Sequence, residues 1–350
     1  MAGAEAHMAG ALARGAEDVG VRTRRVGASG LEVSGLGLGT MTWGGDTDLH
    51  GAERLVARFV EAGGTLIDTA PAYGGGAAEK MIGRITRTHV RRDELVIATK
   101  AGFGLRNGRR TVDTSRKAML DDLTGSLRRL HTDHVDLWQV HAWGRAPYEE
   151  TLAALDTAVS SGMARYVGVC NYIGWQIGTA AAWQRAVPGR AGLVSGQVEY
   201  SLLARRAEVE VVPALAAHGM GLFAWSPIGR GVLTGKYRRG VPRDSRGARE
   251  HFSWFVEPYL ESRSRAVVDA VTRAADGLGL APAQVAMLWV RDAPGVTAPL
   301  LGARTVEQLK PYLDLDDTAL PEPIVSALDD VTGGPNQARS DRRTTAGTTD

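Results

Sequence analysis

Eight short runs of apolar and β-branched residues, each followed by a longer stretch of helical periodicity, constrain this chain more than any other feature. They are LGLGT (36–40), LIDTA (66–70), LVIATK (95–100), HVDLWQVH (134–141), RYVGVCN (165–171), SGQVEYS (195–201), GLFAWSP (221–227) and VTAPLLG (296–302). Between them, Thr114-Ser115 opens a segment in which Ala118, Leu120, Leu123, Leu127 and Leu130 recur at three- and four-residue steps. Pro147 leads another, holding Leu152, Leu155 and Val159, and Gly162 ends it. Runs that are apolar on both faces and joined by helices belong to a parallel sheet covered on both sides. A length of 350 residues suits two ordinary domains or one large barrel. Eight consecutive units favour the barrel. The expected fold is therefore α/β, a single (β/α)8 TIM barrel over residues 23–332.

The segment TRRVGASGLEVS (23–34), with Gly30 as its turn, reads as an N-terminal β-hairpin capping the barrel bottom. Residues 1–22 and 333–350 are expected as flexible tails. The first is rich in small residues and lacks aromatics, and the second is almost free of apolar side chains. Residues 228–261, carrying Trp254, Phe255 and Tyr259, form a connection long enough to be a lid or binding loop.

Charge and cysteine content narrow the function. With 41 basic and 39 acidic residues and no basic block, a dedicated nucleic-acid partner is not expected. No apolar run approaches the ~18 residues of a membrane span, and the single Cys170 cannot form an internal disulfide. A cytoplasmic protein with a small-molecule partner is the resulting expectation. Self-association is compatible with the sequence and not specified by it.

In such a barrel the chemistry sits at the C-terminal ends of the strands. The polar residues there are Asp68, Tyr73, Lys100, His141, Asn171, Gln197, Trp225, Ser226 and, after the last strand, Gly302 and Arg304. Taken singly, each has a bland reading as a cap, a turn residue or a solvated side chain. Four unlike reactive groups at consecutive strand ends do not follow from packing alone. A free tyrosine, with a pKa of ~10, is a poor acid near neutrality. Lys100 beside Tyr73 is expected to lower that pKa, with Asp68 holding Lys100 charged and His141 orienting a carbonyl oxygen. The set lacks a nucleophile or an electron source, and a tyrosine acid without a nucleophile calls for hydride from a cofactor. GLGLG (35–39) lacks a following helix start and is not a dinucleotide fingerprint.

These residues stand in stretches that resemble the aldo-keto reductases over residues 23–332. The stretches are LGLGTMTWGG (36–45), GGTLIDTAPAYGGGAAEKMIG (63–83), SLRRLHTDHVDLWQVH (126–141), GMARYVGVCNY (162–172), GQVEYSLL (196–203), GLFAWSPIGRGVLTGKY (221–237) and LLGARTVEQL (300–309). The resemblance implies an NADPH-dependent carbonyl reductase that binds NADPH/NADP+ in an extended pose. In it Tyr73 is the general acid, Lys100 and Asp68 tune it, and His141 positions the carbonyl. Asn171 and Gln197 would hold the nicotinamide carboxamide, with Trp225 stacked on the ring. Ser226, Ile228, Gly229 and Lys236 would contact the pyrophosphate, and Gly302, Arg304 and Gln308 the adenosine end. Thr40, Met41, Asp68, Cys170 and Pro227 complete the implied cofactor set. Arg304 offers a forked donor to a 2′-phosphate. Trp43 and Trp143 would line the substrate side with Tyr73 and His141.

Two departures stand out. Cys170 replaces the serine usual before Asn171, and Pro311-Tyr312 replace a common Glu and Asn at the adenine. A thiol is the weaker donor, so the carboxamide is held less firmly or Cys170 faces elsewhere. Two alternatives follow from the resemblance. One is a reductase of nucleotide-linked deoxysugars, and the other is a redox-sensing regulatory subunit similar to potassium-channel β subunits.

Overall fold

Each of the eight apolar runs becomes a parallel strand, and the strands close into a ring. The computed structural model describes residues 21–106, 109–243 and 245–333, so the tail expectations for 1–20 and 334–350 lie outside the described residues. The strands are β1 (Thr23–Arg25), β2 (Glu32–Ser34), β3 (Gly37–Gly39), β4 (Leu66–Asp68), β5 (Val96–Ala101), β6 (Phe103–Arg106), β7 (Arg109–Val112), β8 (Val135–Val140), β9 (Ala164–Cys170), β10 (Leu193–Glu199), β11 (Gly221–Trp225) and β12 (Val296–Leu301). The helices are α1 (Leu49–Glu61), α2 (Ala77–Thr88), α3 (Arg116–Leu130), α4 (Tyr148–Ser160), α5 (Gly174–Arg185), α6 (Ala207–Ala217), α7 (Glu250–Val256), α8 (Ser262–Leu278), α9 (Pro282–Arg291), α10 (Val306–Leu313) and α11 (Glu322–Thr332). Around the barrel the order is β3-β4-β5-β8-β9-β10-β11-β12, and β12 pairs back to β3. The helix starts agree with the sequence signals. The Ser115 hydroxyl accepts from the Ala118 N–H at 3.4 Å, Pro147 caps α4, and Gly162 follows it at φ 78°.

Side chains alternate across each strand, so residues two apart share a face. The barrel interior is a cluster of Leu66, Ala98, Leu137, Phe223, Ala298 and Leu300, joined by Val26, Leu31 and Val33 of the β1–β2 hairpin. The hairpin thus plugs the bottom of the barrel, and each buried Leu or Val contributes about 1.5–3 kcal/mol of transfer free energy. Its left-handed turn residue is Gly27 (φ 55°), not Gly30, and the Ala28 N–H donates to Gly219 O at 2.8 Å. A Cβ on Gly27 would lie 2.3 Å from that same oxygen, so the close approach requires glycine.

Three features depart from the sequence reading. The 228–261 connection is largely ordered into short helical turns at Gly229–Thr234, Arg246–Ala248 and Glu257–Tyr259, with α7 between the last two. An antiparallel hairpin, β6–β7, also rises from the end of β5, with Phe103 opposite Val112. Val21, inside the expected tail, is buried, and its N–H donates to Ala62 O at 2.7 Å. Among the described residues no helix is long and apolar enough to cross a membrane, and no group of His, Cys, Asp and Glu could hold a metal ion.

Candidate active site

One layer above the apolar interior, the same inward-facing positions turn polar. Leu66 gives way to Asp68, Ala98 to Lys100, Leu137 to Gln139 and Phe223 to Trp225. The register sets Asp68 beside Ala98 and Lys100 beside Gln139. Lys100 is fully buried and all three of its donors are engaged: Asp68 Oδ1 at 2.6 Å, Thr69 O at 3.0 Å and the Tyr73 hydroxyl at 3.4 Å. Such a buried ammonium is tolerated because it is paired and hydrogen-bonded. Asp68 Oδ2 in turn accepts from Gln197 Nε2 at 2.8 Å. Tyr73 reaches Lys100 from a tight turn, its N–H donating to Ala70 O at 3.0 Å. Gly74, Gly75 and Gly76 follow at φ 57°, 62° and 90°, three consecutive left-handed residues that only glycines adopt readily.

The electrostatics reverse one expectation. Burial pushes the Tyr73 pKa up to about 12, outweighing the nearby Lys100 charge, with Asp68 acting on the same side as burial. The sequence reading has Lys100 lowering it. Lys100 does act in that direction, but burial is the larger influence and Asp68, 2.6 Å from Lys100, adds to it. Burial alone would lower the pKa of Lys100, but the charge of Asp68, with smaller contributions from Tyr73, Cys170 and the hydrogen bond to Asp68, outweighs it and raises the pKa. Tyr73 therefore holds its proton across the physiological range beside a fixed cation. His141 is driven the other way, down to about 3, by burial first and Lys100 second, so its imidazole is neutral. Its ring meets Tyr73 edge-on at 6.2 Å. A neutral phenol and a neutral imidazole side by side can donate to one carbonyl oxygen and leave a developing negative charge facing Lys100.

Around the rim, Asn171 joins three strand ends. Its Nδ2 donates to His141 O at 3.0 Å, its N–H donates to Gln197 O at 2.8 Å, and its Oδ1 accepts from Trp225 Nε1 at 3.0 Å. Asn171 and Ser226 sit at φ 56° and 55°, left-handed positions that cost about 1–3 kcal/mol outside glycine and cluster at functional sites. Trp225 is half-buried, with Phe255 near-parallel to it at 6.3 Å. Along the turn after β11, a Cβ on Gly231 would lie 3.7 Å from Lys236 Nζ, so the ammonium folds back over a glycine-lined bend. Gly302, Gln308 and Lys236 are exposed, Met41, Ile228 and Arg304 are half-buried, and the Arg304 N–H donates to Gln308 Oε1 at 3.0 Å.

Other residues expected here lie deeper. Thr40, Cys170, Gln197, Pro227 and Gly229 are buried. Thr40 uses both its N–H and its hydroxyl on Asp68 O, each at 3.0 Å. Cys170 pairs with Gln197 in register, and burial raises its thiol pKa, which fits a side chain directed into the barrel. Trp43 is fully buried in the core, so it stands behind the site and not on its wall. Trp143 is half-buried at the rim, packed against Tyr172 (5.1 Å) and Trp175 (5.2 Å). Tyr312 packs against the core, and Pro311 O accepts from Gln284 Nε2 at 2.8 Å.

The structure adds residues that the sequence reading passes over. Phe103, at the base of the β6–β7 hairpin, packs on the His141 ring at 5.0 Å. Arg230 grips Glu199 through Nε (2.7 Å) and Nη2 (2.6 Å) and donates to Phe255 O at 2.7 Å. It also lies 4.0 Å from the Phe255 ring centroid, pinning α7 over the rim. Arg110 lies 4.0 Å from the Trp254 ring centroid, linking the hairpin to α7. The alternation that places Asp68 and Lys100 also points to Gln139.

Comparison with known proteins agrees with this geometry. A family model described as the aldo/keto reductase family matches residues 35–332. An uncharacterised oxidoreductase of Bacillus subtilis (strain 168), YrpG, is 36% identical over 321 residues, covering 89% of this chain and 95% of that protein. A probable voltage-gated potassium channel subunit beta of Oryza sativa subsp. japonica is 35% identical over 313 residues, covering 86% and 94%. Its Arabidopsis thaliana counterpart is 34% identical over 316 residues, covering 86% and 93%. A closed eight-stranded barrel with Asp68, Tyr73, Lys100 and His141 on one rim, matched across nearly its whole length, leaves one conclusion: the chain belongs to the aldo/keto reductase family, a family of oxidoreductases.

Proposed function

We propose that the protein is an NADPH-dependent carbonyl reductase that converts an aldehyde or ketone to an alcohol, with Tyr73 as the general acid. The observation that carries this reading is the buried Asp68–Lys100–Tyr73 chain beside a neutral His141. NADPH, when bound, supplies the hydride. Tyr73 passes its proton to the carbonyl oxygen, and Lys100 stabilises the phenolate until solvent restores the proton. His141 donates to the same oxygen and fixes the carbonyl's orientation.

The rim suits the cofactor. Trp225, with its N–H tied to Asn171, offers a fixed aromatic face for the nicotinamide. The Gly229–Gly231 bend under Lys236 Nζ suits a pyrophosphate. Arg304, beside exposed Gly302, would take the 2′-phosphate and favour NADPH over NADH. A second reading, a cofactor-dependent regulatory subunit, is favoured by the two plant relatives described as channel subunits.

The test is fluorescence titration with NADPH and NADH, followed by turnover of a carbonyl panel that includes sugar nucleotides. The expected result is tighter NADPH binding, and turnover that falls about 10²–10⁴-fold in Tyr73→Phe while NADPH affinity is retained. Normal turnover in Tyr73→Phe would contradict the acid assignment. Tight cofactor binding with no turnover of any carbonyl would favour the regulatory reading.

A further inference from the structure

Glu79, in the first turn of α2, is fully buried, and its two oxygens are divided between two elements of the site. Oε1 accepts from the Thr99 hydroxyl at 2.7 Å, and Oε2 accepts from Arg129 Nε at 2.6 Å. Thr99 is the residue before Lys100 on β5, and it faces the helices because Lys100 faces the interior. The Arg129 side chain lies under the glycine turn that carries Tyr73. A Cβ on Gly76 would sit 2.7 Å from Arg129 Cδ and 3.0 Å from its Nε. Arg129 is itself held against α2, because at Gly83 the two helices approach so closely that a Cβ would lie 2.5 Å from Arg129 O.

A buried ion pair is a weak source of net stability, since an apolar pair of similar volume often does as well. Its value here lies in geometry. The Tyr73–Lys100 contact of 3.4 Å is at the outer limit of a hydrogen bond, so a displacement of a few tenths of an ångström at either end breaks it. We propose that the Glu79–Arg129 pair is a positioning device for the proton donor, locking the Tyr73 turn to the Lys100 strand through Thr99 and Gly76. The proposal rests on the reductase reading.

The test is a double-mutant cycle. Glu79→Gln and Arg129→Gln are each made with Tyr73 present and in the Tyr73→Phe background, using NADPH and a turned-over aldehyde. With Tyr73 present, kcat should fall about ten-fold or more with little change in KM, as sub-ångström misplacement of a reacting group requires. In the Tyr73→Phe background the same changes should alter the residual rate less than about two-fold. Equal fractional losses in both backgrounds, or an unchanged kcat with Tyr73 present, would overturn the proposal. If either variant fails to fold, Thr99→Val removes only the link to β5 and should lower kcat in the same Tyr73-dependent way. A crystal structure of Glu79→Gln gives an arm independent of activity, with Lys100 Nζ and the Tyr73 hydroxyl expected beyond hydrogen-bond distance. An unaltered contact there refutes the positioning role. A wild type that reduces no carbonyl sinks the reductase reading alone.

Discussion

Removing one partner of the Lys100–Asp68 pair should be far more damaging than removing both. The two side chains are 1% and 5% exposed and 2.6 Å apart, so water screens neither of them. Asp68→Asn leaves an ammonium buried without a counter-charge, which costs about 3–5 kcal/mol. Lys100→Met leaves Asp68 with the Gln197 amide as its remaining side-chain donor, and should cost about 3 kcal/mol. The double variant buries no charge, so it should lie within about 1–2 kcal/mol of wild type. The pH dependence separates this account from loss of packing. In the wild type the folded Lys100 pKa is raised, so its contribution is fully present below about 10.4, the unfolded value, and is lost as pH rises through the folded value. In Asp68→Asn, burial, the largest influence on Lys100, loses its main opponent and the folded pKa drops below the unfolded one. The penalty must then be greatest at low pH and shrink as pH rises toward about 10. Urea unfolding of all four proteins at about pH 6 and about pH 9 measures both effects. Single-variant losses under about 1 kcal/mol, a double variant no better than the sum, or a penalty that grows with pH would each refute the reasoning.

Carbonyl reduction should show a flat kcat between about pH 6 and pH 9, because His141 is already neutral, with a pKa of about 3, and Tyr73 is still protonated, with a pKa of about 12. Stopped-flow rates across that range check this, and a titration near pH 7 that vanishes in His141→Gln would contradict it. Gly27→Ala at the barrel bottom should cost about 2 kcal/mol or more in urea unfolding, given φ 55° and a 2.3 Å contact with Gly219 O. Turnover per folded molecule should be unchanged, since the hairpin lies at the end opposite the rim. A loss under about 0.5 kcal/mol would show that the turn relaxes freely.

The barrel could be read from the chain because its eight strands are apolar on both faces and each is closed by a helix signal. The errors fall where a local pattern has two solutions. Gly27 and Gly30 both lie in the β1–β2 turn, and only the approach of Gly219 selects which one is left-handed. The β6–β7 hairpin carried a usable signal, Asn107-Gly108 between two short runs, which is the strongest two-residue hairpin cue. The resemblance implies Trp43 on the substrate side, yet the core closes over it. Arg230 could not be assigned from its neighbours, since its partners Glu199 and Phe255 lie on other elements.

At the site, what the sequence can carry is the identity and level of each group. Period-two alternation lifts Asp68 two residues above Leu66 and Lys100 two above Ala98, so strand pattern alone predicts a polar layer over an apolar one. What it cannot carry is the sign of an effect that depends on three bodies. Lys100 beside Tyr73 lowers a phenol pKa if the lysine is the only charge nearby, and that pairwise logic gives an acid poised near neutrality. Burial is the largest influence, Asp68 opposes part of the Lys100 field, and Tyr73 stays loaded with its proton. The Lys100 charge acts most strongly as negative charge develops on the phenol oxygen, which is when a proton donor needs it. A variant that frees Lys100 from Asp68 should therefore lower the Tyr73 pKa, so the ion pair governs the protonation state of the donor as well as the stability of the barrel.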